Sequence, residues 1–439
     1  MPDSMLSRPQ FITAGLFASG AALATLAWWT AARAADAAAP AARSASSAVL
    51  TVPGMAPVPD PNNLYSETGA GHMSPAEAGA LERVYVPNHT ANTVTVIDPA
   101  TLKVIDTFKV GRNPQHVVPS WDLKTLWVAN NAEGGADGTL TPIDPLTGKP
   151  GKAILVDDPY NMYWSPDGTY AIVVAEAHKR LDFRDPRTMK LSHSIDVPLC
   201  GGINHADFSI DGRFAVFTCE FTGSVAKVDL VNRKVVSTIK LSPYFNRPEV
   251  LALIATPGKK PRKIPDPSEI GGEVCTTPGM PQDVRASPDG KIFYIADMMA
   301  DGVHVVDGES FKQIGFIATG VGAHGLYPSR DGKSLYVANR GGNEVRGKPH
   351  GKGSVSVIDF QTRKVVANWP IAGGGSPDMG NVSADGKYLW LSGRYDDVVY
   401  RFDTRSGAVD QIKVSREPHG LTVWPQPGRY SLGHTGNLR

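Results

Sequence analysis

Eleven histidines are present in 439 residues, and seven of them recur at equivalent places in a repeated pattern. His116, His205, His324 and His419 stand where a turn enters a short apolar run, as in Pro114-Gln115-His116-Val117-Val118 and Pro418-His419-Gly420-Leu421. His89, His178 and His434 follow the end of such a run. A neutral imidazole is a nitrogen ligand for copper, zinc or iron. Imidazoles gathered without a carboxylate for each would repel one another if protonated, so their convergence points to neutral metal ligands. A lone histidine behind a proline has a plainer use, a hydrogen bond to a neighbouring loop. The metal reading therefore rests on His89, His116, His178, His205, His324, His419 and His434 meeting in space. His193, His304 and His350 fall outside the pattern. His72, in Gly71-His72-Met73 before the first strand, is placed to fold over the same end.

Other reactive side chains share these positions. Asp283 and Glu220 are the expected proton carriers, and with Asp378 they are placed to orient an imidazole. Tyr160 is expected to orient substrate or stabilise an oxyanion, with Tyr327 and Tyr395 nearby. Arg340 and Arg394 read either as anion-attracting groups or as solvent-facing charge. Met298, Met299 and Met379 read first as packing residues, although a thioether keeps copper in play.

What must position these groups is a repeated hairpin. Its seven copies begin at residues 113, 159, 203, 281, 323, 377 and 418. Five carry an Asp-Gly turn, at Asp167, Asp211, Asp289, Asp331 and Asp385, where Asp bonds the following backbone and Gly accepts positive φ. From Asp122 to Gln426 the turns are 45, 44, 78, 42, 54 and 41 residues apart. A unit of about 40–45 residues holding four strands is propeller-like. The two long spacings carry proline- and glycine-rich insertions near 242–279 and 341–353, which read as loops walling one face. The expected fold is all-β: a seven-bladed β-propeller of four-stranded antiparallel blades over residues 81–439, closed with strands from both chain ends. In the closing blade the second strand is claimed by both 85–86 and 430–433, and that choice stays open. First strands leave one mouth of the channel and second strands return to it, so both classes of histidine share one rim.

The runs Leu335-Tyr336-Val337-Ala338-Asn339, Ser354-Val355-Ser356-Val357-Ile358-Asp359, Leu126-Trp127-Val128-Ala129-Asn130 and Val94-Thr95-Val96-Ile97-Asp98 carry a resemblance. Over roughly 81–439 the chain resembles the YVTN repeat family, the YncE-like seven-bladed propellers. More distantly it resembles the histidine-lined copper propellers of nitrous oxide reductase and thiocyanate dehydrogenase. That resemblance implies copper, held by the seven rim histidines by position alone; the cupredoxin domain of the former has no counterpart in this sequence. A third resemblance, to d1-haem propellers, implies His205 or His324 as an iron ligand, without the cytochrome c domain.

The expected function is an exported, metal-dependent oxidoreductase, with copper as its ion and zinc, iron or d1-type haem as alternatives. It would act on a small-molecule substrate at the channel mouth and exchange electrons with a periplasmic protein. The alternatives are a metal carrier lacking a substrate cavity, a protein- or glycan-binding scaffold, and a lactonase-type hydrolase that would need more hard oxygen ligands. With 44 basic and 43 acidic side chains, no nucleic-acid partner is expected. Residues 11–29 are mostly apolar and precede Ala32-Arg33-Ala34, which reads as an export signal over 1–34, with an uncleaved anchor as its rival. Residues 35–80 are expected to be flexible, and no further stretch is long enough to cross a bilayer. The location is then periplasmic or secreted, where Cys200 and Cys275 are expected to pair, leaving Cys219 a buried thiol or a ligand.

Overall fold

A computed structural model describes residues 48–242, 279–345 and 352–439. The hairpin turns show how the repeat sets its own register. Ser165 donates its hydroxyl to Asp167 (2.5 Å) and accepts the Tyr170 N–H (2.9 Å), while Gly168 adopts φ 71°. The same Ser-to-Asp bond recurs at Ser209, Ser287, Ser329 and Ser383, and at Ser120 in the turn without Gly. Each turn is thus locked from within before any tertiary contact forms.

Seven antiparallel sheets result, arranged as blades. Blade 1 is Thr422–Trp424, Arg83–Asn88, Thr93–Asp98 and Lys103–Lys109. The inner strands of blades 2 to 7 are Pro114–Pro119, Pro159–Trp164, Ile203–Phe208, Pro281–Ala286, Ala323–Pro328 and Pro377–Val382. Inner strands are buried on both faces, whereas outer strands such as Lys103–Lys109 are largely exposed. Buried aromatics such as Tyr163, Phe208 and Phe217 fill the space between adjacent blades.

The closing blade resolves the open choice. Arg83, Val84 and Tyr85 pair with Trp424, Val423 and Thr422, so residues 85–86 take the second-strand place. Strand Ser431–Gly433 instead runs inside the channel, with Gly433 paired to Tyr163 of blade 3. A Cβ at Gly433 would sit 2.4 Å from Tyr163 Cα, so only glycine permits this approach.

Three expectations are corrected. The cysteine partner is Cys219, not Cys275: Cys200–Cys219 is a disulfide with Cα atoms 4.8 Å apart. Cys200 precedes the inner strand of blade 4 and Cys219 ends the next one, where it pairs with Ile203, so the hairpin itself brings the sulfurs together. The part of the expected flexible segment that is described, 48–80, lies packed on the turn face. Leu64 donates its N–H to Pro288 (2.7 Å), Val52 to Asp211 (3.0 Å), and Met55, Leu64 and Tyr65 are buried. His72 belongs to this strap, and its carbonyl accepts the Gly428 N–H at 3.1 Å, so it lies at the turn face and not over the mouth. Pro75–Glu77 in the strap form one 3-10 turn, capped by Ser74. Residues 1–34, Cys275, His350 and most of the first insertion lie outside the described residues. Among the described residues no helix is long and apolar enough to cross a membrane.

Candidate metal centre

Inner strands begin at one mouth, so a side chain early in each points toward the axis. His116, His205 and His324 come from blades 2, 4 and 6; His419 precedes the inner strand of blade 1; His434 sits at the tip of the channel hairpin. All five are 2 % exposed or less. Ring centroids are 5.1 Å apart for His116 and His205, 4.7 Å for His205 and His434, 5.3 Å for His116 and His434, and 4.7 Å for His116 and His419. One nitrogen from each of His116, His205 and His434 lies within 4.8 Å of the other two.

The hydrogen bonds leave this group incomplete. His205 Nδ1 is 2.8 Å from the Gln282 carbonyl, so it carries the proton and turns the Nε2 lone pair toward His116 Nε2, 3.4 Å away. His116 Nδ1, His419 Nδ1 and His434 Nε2 are buried without a hydrogen-bond partner. Each such atom costs about 1–3 kcal/mol. A bound ion relieves that cost at the nitrogens it takes, and the donor set suits copper, zinc or iron. Burial pushes the His116 pKa down to about 3 and those of His205, His419 and His434 well below the usual imidazole value, so the rings are neutral. Gly420 makes room for the cluster, since a Cβ there would fall 2.0 Å from His116 Nδ1.

A second group, His324, Asp378 and His419, also has ligand atoms within 4.8 Å of one another. Its chemistry differs because a cation already occupies it. Arg340 Nη2 lies 2.9 Å from Asp378 Oδ1 and 2.6 Å from His324 Nε2, and His324 Nδ1 is 2.9 Å from the same carboxylate oxygen. His324 Nε2 is therefore capped by the guanidinium, while Nδ1 stands against the carboxylate without a hydrogen bond. Burial raises the Asp378 pKa, but Arg340 and His324 outweigh it and hold the carboxylate ionised. The first group is the better seat for an ion.

A cavity of about 1240 Å³ opens above, lined among others by Tyr160, Glu220, His324, Arg340, Arg394 and His419. The Tyr160 ring is 5.5 Å from His116 and 5.8 Å from His205. Glu220 accepts from Asn204 (3.1 Å) and Gln282 (3.0 Å). Asp283 does not line this cavity. It is ion-paired with Arg285 (3.0 Å), lies 3.9 Å from His434 Nε2, and burial raises its pKa to about 6. Arg340 and Arg394 are buried and ion-paired, so the solvent-facing reading fails for both. Tyr395 meets Arg340 at 3.0 Å, whereas Tyr327 is deep, receiving the Gly380 N–H at 2.8 Å. The sulfurs of Met298 and Met379 take polar hydrogens from Arg340 and Tyr327, and Met299 packs beside Met280.

Two expected ligands stand apart. His89 is clamped between Glu133 (3.2 Å) and Glu417 (3.1 Å); burial lowers its pKa, but the two carboxylates outweigh that and raise it. His178 is half-exposed and paired with Asp157 at 3.1 Å. Both follow the ends of second strands, at Asn88 and Ala175, which lie one strand out from the inner strands. Sequence reasoning assigned no role to Asn161, whose amide meets His434 Nδ1 at 3.2 Å, or to the Gln282 carbonyl. Both residues occupy repeat openings, which was the only signal available.

A model of YncE-like β-propellers matches residues 40–193 and 273–427, more than half of the sequence. The chain belongs to the YncE-like β-propeller family. The family match on this YncE-like propeller ends before the hairpin that carries His434. No curated protein matches it. It is similar in fold to dihydro-heme d1 dehydrogenase NirN in complex with DHE, at 15% identity over 78% of this chain and 75% of that one, TM-score 0.52. Kuenenia stuttgartiensis hydrazine synthase is similar at 18% identity over 72% and 91%, TM-score 0.50. A putative 6-phosphogluconolactonase from Bacteroides uniformis is similar at 15% identity over 78% and 99%, TM-score 0.56. At these identities the likeness is one of fold.

Proposed function

We propose that this YncE-like propeller is an exported, copper-dependent oxidoreductase acting on a small substrate in the mouth cavity. The observation that carries the reading is the meeting of His116, His205 and His434, with His419 beside them, as neutral buried imidazoles whose nitrogens lack enough protein partners. Copper supplies one-electron chemistry when bound. Tyr160, between cavity and imidazoles, orients the substrate. Glu220 on the cavity wall and Asp283 beneath it hold and move protons, while Arg340 and Arg394, each paired with a carboxylate, supply hydrogen-bond donors to one wall. Electrons leave to a periplasmic redox protein.

Elemental analysis of protein purified without an affinity tag tests this. At least one tightly held copper per chain is expected, lost in His116→Ala/His205→Ala and kept in His89→Ala and His178→Ala. Folded protein that takes up no metal would overturn the reading. A second reading, a metal carrier, is favoured by one observation: His116, His205 and His434 are 0 % exposed, sealed below the cavity floor. A carrier hands its ion to an acceptor without turning over a substrate, so redox turnover under loading with small reductants separates the two.

A further inference from the structure

The hairpin bearing His434 adds two strands to the inner edge of blade 3, beyond the four that make a blade. The chain leaves Thr422–Trp424 at the turn face, climbs the channel as Ser431–Gly433, turns at His434 and descends as Asn437–Leu438. It is held by hydrogen bonds to blades 2, 3, 4 and 7. Ser431 donates its N–H to the Trp121 carbonyl (3.3 Å), His434 to Met162 (3.1 Å), and Thr435 its hydroxyl to Gly380 (3.0 Å). Arg439 locks the base, donating to the carbonyls of Phe208 (2.6 Å) and Ser209 (2.9 Å), and its backbone pairs with Tyr430. Leu432 and Leu438 are buried. The family match ends at residue 427, before this hairpin begins.

We infer that residues 430–439 form a tethered ligand arm: inserted from the turn face, it brings a third imidazole to His116 and His205, and its seating and ion binding are one coupled equilibrium. This rests on the metal reading above. His116 and His205 come from strands fixed by their blades, whereas His434 is held by a two-stranded hairpin paired to blade 3 through one residue pair. An isolated hairpin is marginally stable, so the arm depends on what it docks against. By linkage, whatever seats the arm tightens the ion, and the ion seats the arm by the same factor.

The test uses the full chain, Arg439→Ala, His434→Ala and a truncation ending at residue 429. Copper affinity is measured by chelator competition, and hydrogen exchange of 430–439 is followed with and without copper. The expected result is that truncation and His434→Ala abolish tight binding with blade protection intact. Arg439→Ala, at the far end of the arm, weakens it by roughly 5- to 150-fold. Copper slows exchange in 430–439 more than in the blades. A folded truncation binding copper as tightly as the full chain overturns the arm and leaves the metal reading standing on His116, His205 and His419. Arg439→Ala with unchanged affinity, beside a His434→Ala that loses it, overturns the coupling. A full chain that binds no copper overturns both. If truncation unfolds the blades, the two point variants decide.

Discussion

Two groups of buried ligand-type side chains share one mouth, and a guanidinium makes them unlike. Arg340 neutralises Asp378 and caps His324 Nε2, while His116 Nδ1 and His434 Nε2 in the other group stay without a hydrogen-bond partner. Arg340→Met would strand Asp378 among imidazoles, and chemical denaturation should show a loss of about 3–5 kcal/mol, partly recovered by adding Asp378→Asn. Gly420→Ala should force the His116 ring aside, lowering stability by about 1–3 kcal/mol and copper stoichiometry with it. The candidate ligands were legible as residue types at repeat openings. His89 and His178 were not separable from the others, because their distance from the axis follows from which strand end they occupy.

Among the elements, the Ser-x-Asp hairpin turn is the most self-sufficient. It needs only neighbours in sequence, which is why five Asp-Gly pairs announced the repeat. The disulfide depends on hairpin register in a way that spacing does not reveal: Cys200 and Cys219 lie across one strand pair at a sequence separation of 19. Replacing both by Ser should cost about 3 kcal/mol in a denaturant melt. The unfolded, unreduced wild-type chain should titrate one free thiol.

For the whole molecule, closure is reinforced by the strap on the turn face. Glu77 accepts the Gln426 N–H at 3.1 Å and the Ser74 N–H at 3.2 Å, tying the strap to the chain just past the closing strand. Burial raises its pKa to about 7 from 4.5, against the pull of these backbone donors and Arg330. The folded state therefore keeps a proton that the unfolded state has lost. The stability this gives is full below pH 4.5 and is lost as pH rises to about 7, by ~1–3 kcal/mol. Thermal melts should fall over that range, and Glu77→Gln should flatten the slope.

Strand periodicity and turn chemistry are local, so the chain alone determined the repeat, the seven blades and the rim on which most histidines would lie. The path of residues 430–439 was not local. Tyr430 to Gly433 reads as a strand in either place, and only the docked ring, with Tyr163 and Met162 exposing a free inner edge beside a glycine, sends it into the channel. The same holds for Arg340, whose partners come from two blades and whose position decides which imidazoles remain unpaired.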